Sequence, residues 1–144
     1  MPKHLSIVWL HIVWSTKNRQ KILTKDFRFK LFKHIKENAT KNGICLDIIN
    51  GVEDHIHCLI RLKTTQTVAE VIQLIKGESS HWINKNIIFV EPFQWQEGYG
   101  VFSINRDDVM NVRKYIYNQV EHHKEMSYTV ELKKLVPRRT QDLP

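Results

Sequence analysis

Gly51-Val52-Glu53-Asp54-His55-Ile56-His57-Cys58-Leu59-Ile60-Arg61-Leu62 is the stretch on which the reading of this chain turns. In an extended strand successive side chains alternate between faces, so His55 and His57 share one face and Ile56, Cys58 and Ile60 the other. One face suits an apolar core, and the other displays two imidazoles at a fixed spacing. Neutral imidazole is a common ligand of divalent ions, so the pair makes half of a metal site and needs ligands from elsewhere in the chain. The competing reading is two histidines on a solvated strand face.

Working outward, residues 44–52 read as a second strand, and Asn50-Gly51 is a hairpin signal that makes the two strands antiparallel neighbours. Residues 5–14 are β-branched, aromatic and apolar on both alternating faces, which places this first strand in the middle of a sheet or against a second subunit. An exposed edge on such a strand would be a liability that pairing with a second copy removes. Val101 to Ile104 supplies a short last strand.

Phe27, Leu31, Ile35 and Ala39 recur at helical spacing between Thr24 or Asp26 and Asn42, and Gly43 stands where a helix ends. Thr67-Val68-Ala69-Glu70 has the form of a capping box and opens a second helix, with Val68, Val71, Ile72, Ile75 and Trp82 toward the core. On that helix Lys76, Gly77, Ser79 and Ser80 form a small cationic patch. Gly77 marks either a helix break or the close approach of another backbone. In the loop-like stretch 84–100, Trp95 and Tyr99 read either as core anchors or as surfaces on which unpaired bases stack. The order strand, helix, strand, strand, helix, strand, helix predicts an α+β fold: a ferredoxin-like or RRM-like antiparallel sheet with helices packed on it. At 144 residues a single domain is expected.

The 22 Lys and Arg against 15 Asp and Glu give a formal charge of +7, which favours a polyanionic partner, nucleic acid first. Lys17, Arg19 and Lys21 after the first strand read either as a solvated loop or, with a polyanionic partner, as natural phosphate contacts. Cys45 and Cys58 lack metal-ribbon spacing and read as reduced core residues. No run is long and apolar enough for a membrane span and no secretion signal is evident, so a cytoplasmic protein is expected.

The last helix supplies the second half of the site. Asn105 or Ser103 can cap it, and Val109, Val112, Ile116 and Val120 make its core stripe. Tyr115 and Gln119, four apart, share a face beside that stripe, in line with Asp108, Asn111 and His122, while Tyr117 falls on the opposite flank. Gln119 can offer a third, carbonyl ligand and Tyr115 a phenol beside the metal.

Together with Trp14-Ser15-Thr16-Lys17-Asn18-Arg19, Lys76-Gly77-Glu78-Ser79-Ser80, Trp95 to Ser103 and Tyr115 to His123, the His55-Ile56-His57 motif resembles the single-tyrosine HUH transposases of small bacterial insertion sequences. The match runs over about residues 5 to 123, and after Met126 the chain departs from that family's usual C-terminal helix. The resemblance implies a bacterial, nucleoid-associated TnpA-type enzyme that binds hairpins at element ends and cuts and rejoins single-stranded DNA. It implies Tyr115 as nucleophile and Mg²⁺ or Mn²⁺ held by His55, His57 and Gln119. It also implies a homodimer in which the tyrosine helix of one subunit completes the histidine site of the other. DNA contacts are expected from Lys17, Arg19, Lys76, Ser79 and Ser80. A relaxase-like or replication-initiator nickase would share the histidines and tyrosine; a non-catalytic binding module would instead need exposed aromatics on its central strands.

Overall fold

The computed structural model describes residues 3–87, 89, 91–124 and 126–136. Four strands, β1 (Trp9–Ser15), β2 (Cys45–Gly51), β3 (His55–Arg61) and β4 (Gly100–Ile104), pair antiparallel in the order β2-β3-β1-β4. This is the ferredoxin-like order. Helices α1 (Lys25–Lys41) and α2 (Val68–Asn86) cover one face, where Ile56, Cys58 and Ile60 meet Leu31, Ile35, Val71, Ile72 and Ile75. His55, His57 and Leu59 point to the other face, which carries α3 (Val109–Tyr117), α4 (Gln119–His122) and α5 (Tyr128–Leu135).

Local signals act as their chemistry dictates. Thr67 caps α2 by accepting from the Glu70 amide at 3.2 Å, and Gly43, at φ +70°, closes α1 in the left-handed conformation that glycine adopts without a Cβ clash. Asn105 accepts from the Asp107 amide and starts the short 3-10 turn that leads into α3.

Five expectations are corrected. β1 lies in the middle of the sheet between β3 and β4, as a strand apolar on both faces should, but it begins at Trp9, with Leu5, Ile7 and Val8 exposed, and it offers no free edge for a second subunit to cover. Asn50-Gly51 is not the hairpin turn: both residues belong to β2, and the chain reverses over residues 52–54. Glycine is still required at position 51, because a Cβ there would lie 2.3 Å from the His55 carbonyl oxygen. Cys45 is exposed at the start of β2, whereas Cys58 is buried and its thiol pKa is driven up by that burial. The last helix is broken at Asn118 into α3 and α4, which turns Val120 out of the core stripe and leaves it 46% exposed.

Finally, Gly77 neither breaks α2 nor touches another backbone. A Cβ there would meet nothing within 4 Å. Gly77→Ala is therefore expected to stabilise the fold by about 1 kcal/mol, because glycine is that much the poorer helix former. Thermal unfolding checks it; a lowered midpoint would mean that the glycine fills a conformational need.

Candidate active site

Three long-range tethers hold the tyrosine helix over the histidines. A bulge between Leu46 and Ile48 frees Asp47 from the ladder, and its carboxylate accepts two hydrogen bonds from Arg113, at 2.8 and 2.7 Å. The bidentate fork fixes orientation as well as distance. Asn50, opposite His57 in the sheet, donates to the carbonyls of Ile116 and Tyr117 at 3.0 and 2.9 Å, groups that a helix end leaves unpaired. Val109 and Ile116 pack on Leu59 between these tethers.

Tyr115 consequently stands over His57, with ring centroids 6.0 Å apart, and stacks on His122 at 4.4 Å. Tyr117 is 74% exposed on the opposite flank. Glu131 of α5 occupies the centre of the group. Its Oε1 lies 2.8 Å from His57 Nε2, 2.8 Å from His123 Nε2 and 3.1 Å from His55 Nε2, while its Oε2 accepts from the Tyr115 hydroxyl and from Gln119 Nε2. Burial alone would raise the Glu131 pKa, but hydrogen bonds from His123, His55 and His57 outweigh it and hold the carboxyl far below the usual carboxylate range. Tyr115 is pushed well above its ordinary value, first by burial and then by the hydrogen bond and charge of Glu131.

A second layer orients the imidazoles. Asp54 Oδ1 lies 2.7 Å from His55 Nδ1, and His11 Nε2 lies 2.7 Å from His57 Nδ1. With a cation in place of the Nε2 protons that now reach Glu131, Asp54 and His11 would each hold a proton on Nδ1 and the Nε2 lone pairs would face the centre, which is the arrangement that metal-binding histidines use. His11 suits an acceptor role, since burial and the adjacent His57 lower its pKa to about 3 and keep it neutral. Burial likewise lowers His57, whereas at His55 the Asp54 and Glu131 hydrogen bonds prevail over burial and raise the pKa.

The donor set fits a cation. One ligand atom from each of His55, His57, His123 and Glu131 lies within 4.8 Å of the others. The Gln119 carbonyl oxygen is buried and has no hydrogen-bond partner among the described residues, as an acceptor held ready for a cation would be. His55, His57, Gln119 and Tyr115 are thus brought together within one chain.

The expected DNA contacts divide. Lys17, Lys76 and Ser80 line one cavity of about 510 Å³, where Lys76 donates to the carbonyls of Gln96 and Gly98. Arg19 lies instead in a cleft of about 570 Å³ with Lys21, Arg28 and Lys124. Ser79 is corrected: it is fully buried and accepts from Trp95 Nε1 at 2.9 Å, so its hydroxyl anchors a core tryptophan and is closed to a ligand. Trp95 is accordingly the core anchor, while Tyr99 is exposed.

Sequence reasoning missed His11, Asp54, His123 and Glu131. His123 continues the four-residue spacing from Tyr115 through Gln119, and His11 shares its strand face with Val13 and Trp9; both signals were present. Nothing in the sequence marked Glu131.

A ferredoxin-like sheet with paired histidines on a central strand, facing a helix that bears a tyrosine, defines the HUH tyrosine transposases as the class of this protein. The chain belongs to the family described as "Transposase IS200 like", whose profile matches residues 4–119. It is 23% identical over 125 residues to the ISDra2 transposase TnpA of Deinococcus radiodurans, covering 80% of this chain and 84% of that one. A crystal structure described as a transposase from D. radiodurans R1 shares the fold, with a TM-score of 0.66, 20% identity and coverage of 83% of this chain and 95% of that one. So does a REP-associated tyrosine transposase bound to a REP hairpin, with a TM-score of 0.62 and 16% identity, covering 95% and 89%. Among the described residues no helix is long and apolar enough to cross a membrane.

Proposed function

We propose that this transposase binds DNA hairpins and cleaves and rejoins single-stranded DNA, with Tyr115 as nucleophile and a divalent ion at His55, His57 and Gln119, joined by Glu131 and His123. The observation that carries the proposal is the shared carboxylate: Glu131 touches the Tyr115 hydroxyl on one oxygen and the imidazoles on the other. Nucleophile and cation ligands therefore meet at one point.

Tyr115 Oη attacks phosphorus, the P–O3′ bond breaks, and a 5′-phosphotyrosine and a free 3′-hydroxyl result. The ionised Glu131 orients the phenol by accepting its hydrogen bond, the phenol proton is lost to water as the new bond forms, and the leaving 3′-oxygen takes a proton from water. A phenol whose pKa is raised does not ionise ahead of attack, so proton transfer accompanies bond formation. The covalent ester conserves the bond energy, and a second 3′-hydroxyl can reverse the step without ATP. A divalent ion in this site would neutralise charge developing on the phosphoryl oxygens. Mg²⁺ or Mn²⁺ would serve.

Assembly as a homodimer belongs to the same proposal. The outer edge of β4 has no strand partner among the described residues and carries the backbone groups for pairing with a second copy. Light scattering tests the mass. The function itself is tested by incubating the protein and a labelled single-stranded oligonucleotide carrying a palindrome from DNA next to the gene, with Mn²⁺. A protein–DNA adduct that survives denaturation is the expected product; strand scission without an adduct would overturn the mechanism.

Affinity for that hairpin is expected to fall steeply with salt, because Lys17, Arg19 and Lys76 displace counterions. Each phosphate contact contributes about 0.7 to 0.9 to the slope of log K against log salt, so Lys76→Ala should reduce the slope by about one. An unchanged slope would remove Lys76 from the interface.

A further inference from the structure

We propose that the cavity between β4 and α3 is a base pocket, which receives the nucleobase next to the scissile phosphate on the side that stays attached to Tyr115. The inference rests on the single-stranded DNA reading above. The cavity measures about 550 Å³ and is lined by Phe102, Ile104, Asn111, Val112, Tyr115 and Leu135, with His11 at its base. It lies directly beside the nucleophile, since the Tyr115 ring forms part of its wall.

The two cavities flanking the cluster differ in chemistry. On the His55 and His123 side, the cleft sets Arg19, Lys21, Arg28 and Lys124 against Glu53 and Asp54, a cationic excess that suits a phosphate backbone. Among the described residues, the cavity on the Tyr115 side has no Asp, Glu, Lys or Arg in its lining. Its half-exposed Phe102 lies opposite His11 in the sheet, ring centroids 6.1 Å apart. An aromatic face in an uncharged hollow suits a base, because every base presents a π-face to stack. Asn111 makes no side-chain hydrogen bond among the described residues, is exposed, and can offer both a donor and an acceptor to a base edge. A strand crossing the cluster thus finds a phosphate cleft on one side and a base pocket on the other.

In-line displacement sets the polarity. The leaving 3′-oxygen departs opposite Tyr115, toward His55 and the cationic cleft. The nucleotide whose 5′-phosphate joins Tyr115 stays tethered to the tyrosine through that phosphate, which keeps its base within reach of Phe102.

The test uses the full chain and the palindrome-bearing oligonucleotide, once its cleaved phosphate has been mapped from the Tyr115 adduct. An abasic residue at the first position 3′ of that phosphate should slow cleavage about tenfold, the scale of one lost stacking contact. Phe102→Ala should slow cleavage of the intact strand by a similar factor and lose nothing more on the abasic strand. Hairpin affinity should not change. A second readout needs no turnover: 2-aminopurine at that position should be quenched when Tyr115→Phe protein binds and brighten when Phe102→Ala is added. Should Phe102→Ala fail to fold, Asn111→Ala at its exposed site should alter base preference at that one position. Full additivity of the two losses, or a neutral abasic position with unquenched 2-aminopurine, overturns the pocket while leaving the adduct intact. A change in oligomeric mass without base dependence would assign the cavity to self-association. No adduct from the unaltered protein would remove the underlying reading and the pocket with it.

Discussion

Tyr115→Phe is expected to abolish the covalent protein–DNA adduct and to lower strand cleavage by at least about 10⁴-fold, because in the proposed mechanism its hydroxyl is the attacking group. The substitution is conservative for the fold. Phenylalanine keeps the stack on His122 and the edge contact with His11, and loses only the hydroxyl that donates to Glu131. Hairpin affinity should therefore stay within about twofold of the parent, since phosphate contacts dominate affinity. Tyr128 is the informative control. Its ring lies 4.5 Å from His55, closer than Tyr115 lies to His57, and burial followed by the charges of Glu131 and Asp54 pushes its pKa up to about 12. Its hydroxyl engages Ser15, whereas that of Tyr115 engages the carboxylate shared by the imidazoles. An adduct retained by Tyr115→Phe and lost by Tyr128→Phe would transfer the nucleophile to α5. Mixing Tyr115→Phe with His57→Ala chains asks which chain completes each site. No recovery of cleavage is expected, because Asp47 and Asn50 tie α3 to its own sheet; recovery would establish the composite dimer.

Glu131→Gln should destabilise the metal-free protein by about 3 kcal/mol, the scale of breaking a buried ionic network, and lower the melting midpoint by about 10 °C. The sign of its pH dependence follows from the two shifted groups. The Glu131 carboxyl is held below its unfolded value, so its contribution is present above the ordinary carboxylate range and fades as pH falls through the folded value. His55 is held above its unfolded value, so its contribution is complete below about pH 6.5 and fades as pH rises through the folded value. The difference between parent and variant should thus be greatest between about pH 5 and 7. Added Mn²⁺ should raise the parent midpoint more than that of the variant, as binding to the native state alone requires. Equal midpoints in chelator, or equal shifts with Mn²⁺, would show that Glu131 is neither a keystone nor a ligand.

The sequence by itself determined the sheet, the histidine face and the separation of the two tyrosines on the last helix. Each is a matter of local period: two residues for the strand that puts His55 and His57 together, about 3.6 for the helix that parts Tyr115 from Tyr117. The family could be read for the same reason, since its motifs are short and contiguous. The turn was misjudged where a local signal served a distant need. Asn50 does not turn the hairpin but caps α3 some 66 residues away. Only the tertiary structure decided what stands among the histidines. Glu131 reaches His55 across 76 residues, and His11 reaches His57 across 46. A period constrains neighbours along one element and is silent on which elements meet. The packing of α5 against the sheet brought a carboxylate into the site, and it did so in the segment where the family's pattern had already ended.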